Sequence, residues 1–218
     1  MGAVSPDLIL TQELCEVCAV AYPRVVDAAR IAGGGSSPMI VSLEPHSMED
    51  VLATIELVAG LAGVPERGTR LVAELEGRLE DVPRPPRRRR TAVVEWLSPP
   101  FAPGHWVPEQ VELAGGESVI GQAGERSRES SWAAVAASDP EIMVLGLCGF
   151  DLARTLDEWR AVTPPAELVG TRAQSAGQIW AIDGSAYVSR PGPRLVAGVE
   201  IMASILSGSA DDRAIRVK

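Results

Sequence analysis

Apolar residues follow two rhythms along this chain, short unbroken runs and three-to-four-residue spacings, and the two alternate. Residues 7–11 (DLILT) and 39–43 (MIVSL) are compact runs of strand length. Residues 22–32 between them are expected as a short helix stopped by Gly33, Gly34 and Gly35. Ser47 followed by Asp50 is a capping signal. The helix it opens carries Met48, Val51, Leu52, Ile55, Val58 and Ala62 at helical spacing, so one face belongs to the core. Pro65 starts another helix, with Leu71, Val72, Leu75, Leu79 and Val82 as a narrower stripe.

The rhythm then breaks at residues 83–90, PRPPRRRR, and resumes. Strands are expected at 91–97, 142–147 and 178–182. Helices are expected at 107–114, 131–137, 151–159 and 193–206, and the tail 209–218 is expected to be frayed. Strands alternating with helices imply an α/β fold with mainly parallel pairing. Residues 83–90 are the candidate boundary between two lobes.

Composition adjusts this picture in three places. Trp, at five, outnumbers the two Phe and two Tyr together, and aromatics are few, so most of the core must be Val, Leu, Ile and Ala. The net charge of −9 argues against a nucleic-acid binder, since no broad basic surface offsets phosphate repulsion. The one basic run, Arg84 and Arg87 to Arg90, has no interleaved aromatics and is expected to be a solvated linker. No stretch approaches the ~20 apolar residues of a membrane span. The first residues lack the charged and apolar regions of a signal peptide, so the chain as written is expected in the cytoplasm.

The sequence is also familiar in five places: PDLILTQELCEVCAV (6–20), VSLEPHSMEDVLATI (41–55), VVEWLSPPFAPGHWVPEQVELAGGE (93–117), SDPEIMVLGLCGFDLART (138–155) and IWAIDGSAYVSRPGPRLVAGVEIMASIL (179–206). Together they resemble cobalamin-binding proteins of the periplasmic-binding superfamily, the class whose two lobes are joined by one long helix. The resemblance implies a truncated first lobe at 1–64, a connecting helix and linker at 65–85, and a complete parallel-sheet α/β second lobe at 86–208. Members of that family carry a further strand-rich segment before PDLIL. Its absence here leads to two expectations: an open sheet edge covered by homodimer formation, and an extracytoplasmic location with an ABC permease partner if an upstream segment exists.

The resemblance implies a small-molecule ligand, cobalamin or a related corrinoid, and a binding protein rather than a catalyst. Ligands of α/β sheets sit beyond the carboxyl ends of strands, which selects four loops. Ser98–Val107 offers Phe101, His105 and Trp106. Cys148–Asp151 offers Phe150, and Asp183–Arg194 offers Tyr187, Ser189 and Arg190. The fourth loop, 12–18, holds Cys15 and Cys18, which are a redox or metal pair or two small residues at a strand–helix junction. His105 is a candidate metal ligand or a hydrogen-bonded side chain; His46, just before a helix cap, is expected to be structural. The alternative function is a repurposed scaffold acting as a biosynthetic enzyme or accessory protein. His105 with Glu95 or Glu109 would then be the first acid–base pair to test.

Overall fold

A computed structural model describes residues 6–12, 22–32, 38–162, 165–209 and 211–217. The chain divides into two units, residues 1–45 and residues 46–218. In the first, β1 (Leu8–Thr11), α1 (Tyr22–Ala32) and β2 (Met39–Ser42) follow one another. β1 and β2 pair in parallel, Leu8 opposite Met39 and Thr11 opposite Ser42.

The second unit begins with two helices, α2 (Met48–Leu61) and α3 (Pro65–Glu80). Ser47 and Asp50 form the reciprocal cap expected of them. The Ser47 hydroxyl accepts from the Asp50 amide at 3.0 Å, and the Asp50 carboxylate accepts from the Ser47 amide at 3.0 Å. Then come β3 (Arg90–Val94), β4 (Trp96–Leu97), β5 (Pro100–Ala102), α4 (Val107–Leu113), β6 (Glu117–Ser118), β7 (Arg128–Glu129), α5 (Trp132–Ala137) and β8 (Ile142–Leu145). The unit closes with α6 (Leu152–Ala161), a 3-10 turn (Ala166–Leu168), α7 (Arg172–Ser175), β9 (Ile179–Ile182), α8 (Gly184–Tyr187), α9 (Arg194–Ser207) and β10 (Ala214–Arg216).

The main sheet runs β10-β9-β8-β3-β6, parallel except for β10. Ala92, Val94, Met143, Leu145, Ile179 and Ala181 pack on one face with Val135 and Trp159. By the two-residue period of a strand, Val93, Val144 and Ile182 turn to the other face, and all three are fully buried. A parallel sheet covered on both faces needs such unbroken apolar strands, and IMVL and IWAI supply them.

Three expectations change here. The stretch 91–97 is not one strand: it ends at Val94, and residues 96–102 turn back as the hairpin β4–β5, which β7 extends into a small antiparallel sheet. The frayed tail contains β10, which pairs antiparallel with β9 and buries Ala214 and Val217. Arg216 lies over the Trp180 ring at 4.7 Å, and Asp211 holds Arg213 at 2.8 Å, so polar residues that read as solvated have local partners.

The basic run is the third. Arg87 and Arg89 both reach Glu141, at 2.5 and 3.6 Å. Arg88 donates to the Gly116 carbonyl and to Glu112, while Arg90 donates to Glu117 and to the Ser138 carbonyl. Arg172 adds a third guanidinium at Glu141, 3.1 Å away. The run is thus a set of clasps at the amino end of the sheet. Exposed pairs contribute little on their own, but Glu141 is 8% exposed and faces three arginines. The Arg87 hydrogen bond, foremost, holds its carboxyl below the ordinary glutamate range.

A depressed folded pKa gives stability that is present above the unfolded pKa and lost as pH falls through the folded value. Glu141→Gln should therefore destabilise the protein at pH 7 by about 1–3 kcal/mol, with the difference shrinking as the pH is lowered below 4. Thermal melts of both proteins across that range check this; an equal deficit at every pH would contradict it.

Candidate functional site

The parallel strands β3, β8 and β9 deliver their carboxyl ends to one side of the second unit. The chain continues to pair there: the Gly146 amide donates to the Val94 carbonyl at 3.1 Å and the Cys148 amide to the Glu95 carbonyl at 2.9 Å. The loop after β9 is pressed against the loop after β8. A Cβ on Gly184 would lie 2.2 Å from the Leu147 carbonyl oxygen, so this approach requires glycine. The Ser185 amide donates to the Phe150 carbonyl at 2.9 Å, and the Ser189 hydroxyl accepts from the Gly149 amide at 3.3 Å while donating to the Gly184 carbonyl at 2.8 Å.

The loop after β3 is bound to the same place. Trp106 is 4% exposed, and its indole N–H donates to the Val188 carbonyl at 2.7 Å. Gln110, fully buried on α4, donates its amide to the Tyr187 carbonyl at 3.0 Å and the Leu195 carbonyl at 2.8 Å. Trp106 is therefore a packed side chain that joins two post-strand loops. Ser189 likewise spends its hydroxyl within the loops. Tyr187 is half-buried, and Arg190 is exposed.

What reaches the surface at this end is Trp96, with Phe101 partly exposed and Phe150 buried behind it. Trp96 is 37% exposed and meets Phe150 edge to face, ring centres 5.1 Å apart and planes at 64°. Phe101 is the antiparallel partner of Trp96 across β4 and β5, so the two side chains share a face. Phe150 is itself 7% exposed, with the Arg154 guanidinium 3.7 Å above its ring centre. The Asp151 carboxylate caps α6 by accepting from the Arg154 amide at 2.8 Å, which sets where this helix starts. Trp96 and Arg154 were not singled out from sequence. The strand drawn through Leu97 placed Trp96 inside it, although a large aromatic just past a buried run was the available signal.

The titratable candidates have separate surroundings. Glu95 is 8% exposed at the end of β3, and burial pushes its carboxyl up to about 7 against a lowering hydrogen bond from Ser127. The Ser127 hydroxyl also accepts from the Gly104 amide at 3.0 Å, so Glu95 sits within the packing of loops 98–105 and 122–130. Glu109 accepts from the Met48 amide at 2.6 Å and so holds the start of α2. His105 adopts a left-handed backbone, φ 49°, and its amide donates to the Glu125 carbonyl at 2.6 Å. Its ring stands 5.7 Å from His46 and 5.5 Å from Trp106. Burial first, then His46 and Arg126, lower its pKa. Cys15, Cys18 and most of the loop 12–18 lie outside the described residues. Among the described residues no group of three or more His, Cys, Asp or Glu is arranged to hold a metal ion, and no helix is long and apolar enough to cross a membrane.

No protein-family model and no curated protein matches this sequence. Solved structures match its fold. The periplasmic heme-binding protein RhuT from Roseiflexus sp. RS-1 is 20% identical, with 96% of this chain and 78% of that one covered and a TM-score of 0.72. The periplasmic vitamin B12 binding protein BtuF of Vibrio cholerae is 19% identical over 94% of this chain and 75% of its own, with a TM-score of 0.60. An ABC-type Fe3+-hydroxamate transport system from Saccharomonospora viridis DSM 43017 is 21% identical over 94% and 70%, with a TM-score of 0.68. The chain thus has the α/β fold of periplasmic binding proteins.

Two outcomes follow from the buried groups. A carboxyl whose folded pKa is raised from 4.5 to about 7 binds more protons when folded. Stability is therefore unpenalised below about pH 4.5 and falls as pH rises through 7, by roughly 3 kcal/mol at most. Glu95→Gln should melt like the unaltered chain at pH 5 and above it at pH 8; equal melting temperatures at pH 8 would contradict the burial of a charge. Trp106→Ala should cost about 3–5 kcal/mol of stability in denaturant melts, and a loss below 1 kcal/mol would show that the indole is not packed as described.

Proposed function

We propose that this chain is a solute-binding protein whose ligand is a metal chelate, held against the aromatic surface of Trp96 and Phe101, which the buried Phe150 backs. The observation that carries the proposal is Trp96, an exposed indole set edge-on to Phe150 at the carboxyl end of a parallel sheet. A flat conjugated ligand gains contact on such a surface at little conformational cost. Arg154 and Arg190 could then meet carboxylates or amides on the ligand's rim. The fold supports this class, because neighbours named as heme-, vitamin B12- and Fe3+-hydroxamate proteins share it.

Within that class cobalamin, or another corrinoid, is the finer proposal, resting on the resemblance of the five segments quoted above. The same reasoning proposes an extracytoplasmic place of work and an ABC permease as partner, since two of these neighbours are named as periplasmic and one as an ABC-type transport component.

Titrations of the purified protein with hemin, cyanocobalamin and a ferric hydroxamate, followed by Trp fluorescence and visible absorbance, test the proposal. Saturable binding of at least one is expected. Trp96→Ala should weaken it by about 1–3 kcal/mol, roughly five- to 150-fold. Preference for cyanocobalamin would support the corrinoid reading and preference for another chelate would replace it; no binding of any of the three would overturn the proposal.

A further inference from the structure

Among the described residues two carboxyl side chains are buried, Glu95 and Glu141. Glu141 faces three guanidiniums. Glu95 is in no ion pair with a described residue, and its side chain meets the Ser127 hydroxyl. A buried carboxyl without a cation is accepted in its neutral form, and ionising it costs free energy unless water reaches it.

Glu95 stands where β3 passes into the β4–β5 hairpin. Its amide donates to the Phe101 carbonyl at 3.1 Å, and its carbonyl accepts from the Cys148 amide at 2.9 Å. Trp96 follows it directly. On the β3 side Ala92, Val93 and Val94 have no exposed surface. On the hairpin side the cover is thin. β4 and β7 are two residues long and β5 three, and Ser98, Pro99 and residues 122–126 are exposed. The loops 98–105 and 122–130 meet at Ser127, whose hydroxyl accepts from the Gly104 amide at 3.0 Å. Water therefore reaches the Glu95 carboxyl at least cost by local opening of the hairpin, not of the sheet.

We infer that Glu95 is a positioning residue for Trp96: its neutral carboxyl keeps the hairpin closed on β3, and its ionisation opens the hairpin and withdraws the indole from the ligand. The ligand half of this rests on the proposed function, and the opening does not. Burial raises this carboxyl to about 7 against the lowering bond from Ser127, so opening belongs to the range above neutrality. A ligand seated on Trp96 selects the closed, protonated form. Its affinity falls as pH rises, by at most about tenfold per pH unit for one proton. The titratable and charged groups on the surrounding loops are His105 on the first, Glu125, Arg126, Arg128 and Glu129 on the second, and Cys148 and Asp151 after β8. Whatever pH dependence they contribute persists in Glu95→Gln, so the difference between the two proteins belongs to Glu95.

Hydrogen exchange of the ligand-free protein at pH 5 and pH 8, with intrinsic amide rates divided out, tests the opening. Protection of residues 95–102 should fall by about tenfold or more at pH 8, with residues 142–145 still the better protected, and Glu95→Gln should keep its protection. Ser127→Ala, which removes the bond favouring the carboxylate, should deepen the fall. Unchanged protection in the unaltered chain, a fall that Glu95→Gln shares, or equal protection of the two stretches at pH 8 would overturn the inference. Whichever of hemin, cyanocobalamin and the ferric hydroxamate binds is then titrated at both pH values. The unaltered chain should lose about tenfold more affinity than Glu95→Gln between them, and equal losses would overturn the positioning role. Binding of none of the three would overturn the proposed function, while the exchange still decides the opening.

Discussion

The indole N–H of Trp106 donates to the Val188 carbonyl inside the protein, at 2.7 Å, and the arrangement of the carboxyl end depends on that bond. Loops that follow buried strands bring polar backbone with them, and each buried group must find a partner. Trp106 and Gln110 answer this need for the loop after β9 by donating to Val188, Tyr187 and Leu195. Ser189 and Ser185 answer it between that loop and the one after β8. With three post-strand loops joined in this way, the side chains that remain outside stand on a fixed base. Trp96 and Phe101 belong to a short hairpin on one of those loops, and Phe150 to another.

The two ends of the sheet divide the work. At the amino end, arginines 87 to 90 and Arg172 meet Glu112, Glu117, Asp139 and Glu141, and the charges there are largely spent on each other. At the carboxyl end the neighbouring groups include aromatic rings, the guanidinium of Arg154 and a buried carboxyl. A carboxyl with a pKa near neutrality costs stability when ionised. At the end of β3 it is held by the same loops that carry the aromatics, through Ser127 and Gly104.

Much of the fold was legible because it rests on local signals. The apolar runs IMVL and IWAI mark central strands. Ser47, Ser131 and Asp151 mark helix starts, and each accepts from the amide expected of a cap. What stayed hidden depends on residues far apart in the chain. The arginine run reads as a linker because its acceptors lie tens of residues away. The β4–β5 hairpin is masked by Ser98, Pro99 and Pro100, which read as strand breakers, although Pro100 is accommodated in a short strand. Trp106 lies in the loop after the expected strand 91–97 and Trp96 inside that strand, and neither position signals burial or exposure. Only the packing turns one inward, to 4% exposure, and leaves the other at 37%. The meeting of His46 with His105 has no sequence signature either, since the two lie far apart in the chain.

The central claim is that a ligand is held at the carboxyl end of the sheet by the surface around Trp96. Hydrogen–deuterium exchange with and without saturating hemin, and in parallel cyanocobalamin, tests it most directly. Slowed exchange should concentrate in residues 95–102 and 148–154 for whichever compound binds. Slowing confined to residues 87–90, 112–117 and 138–141, at the opposite end of the strands, would contradict it.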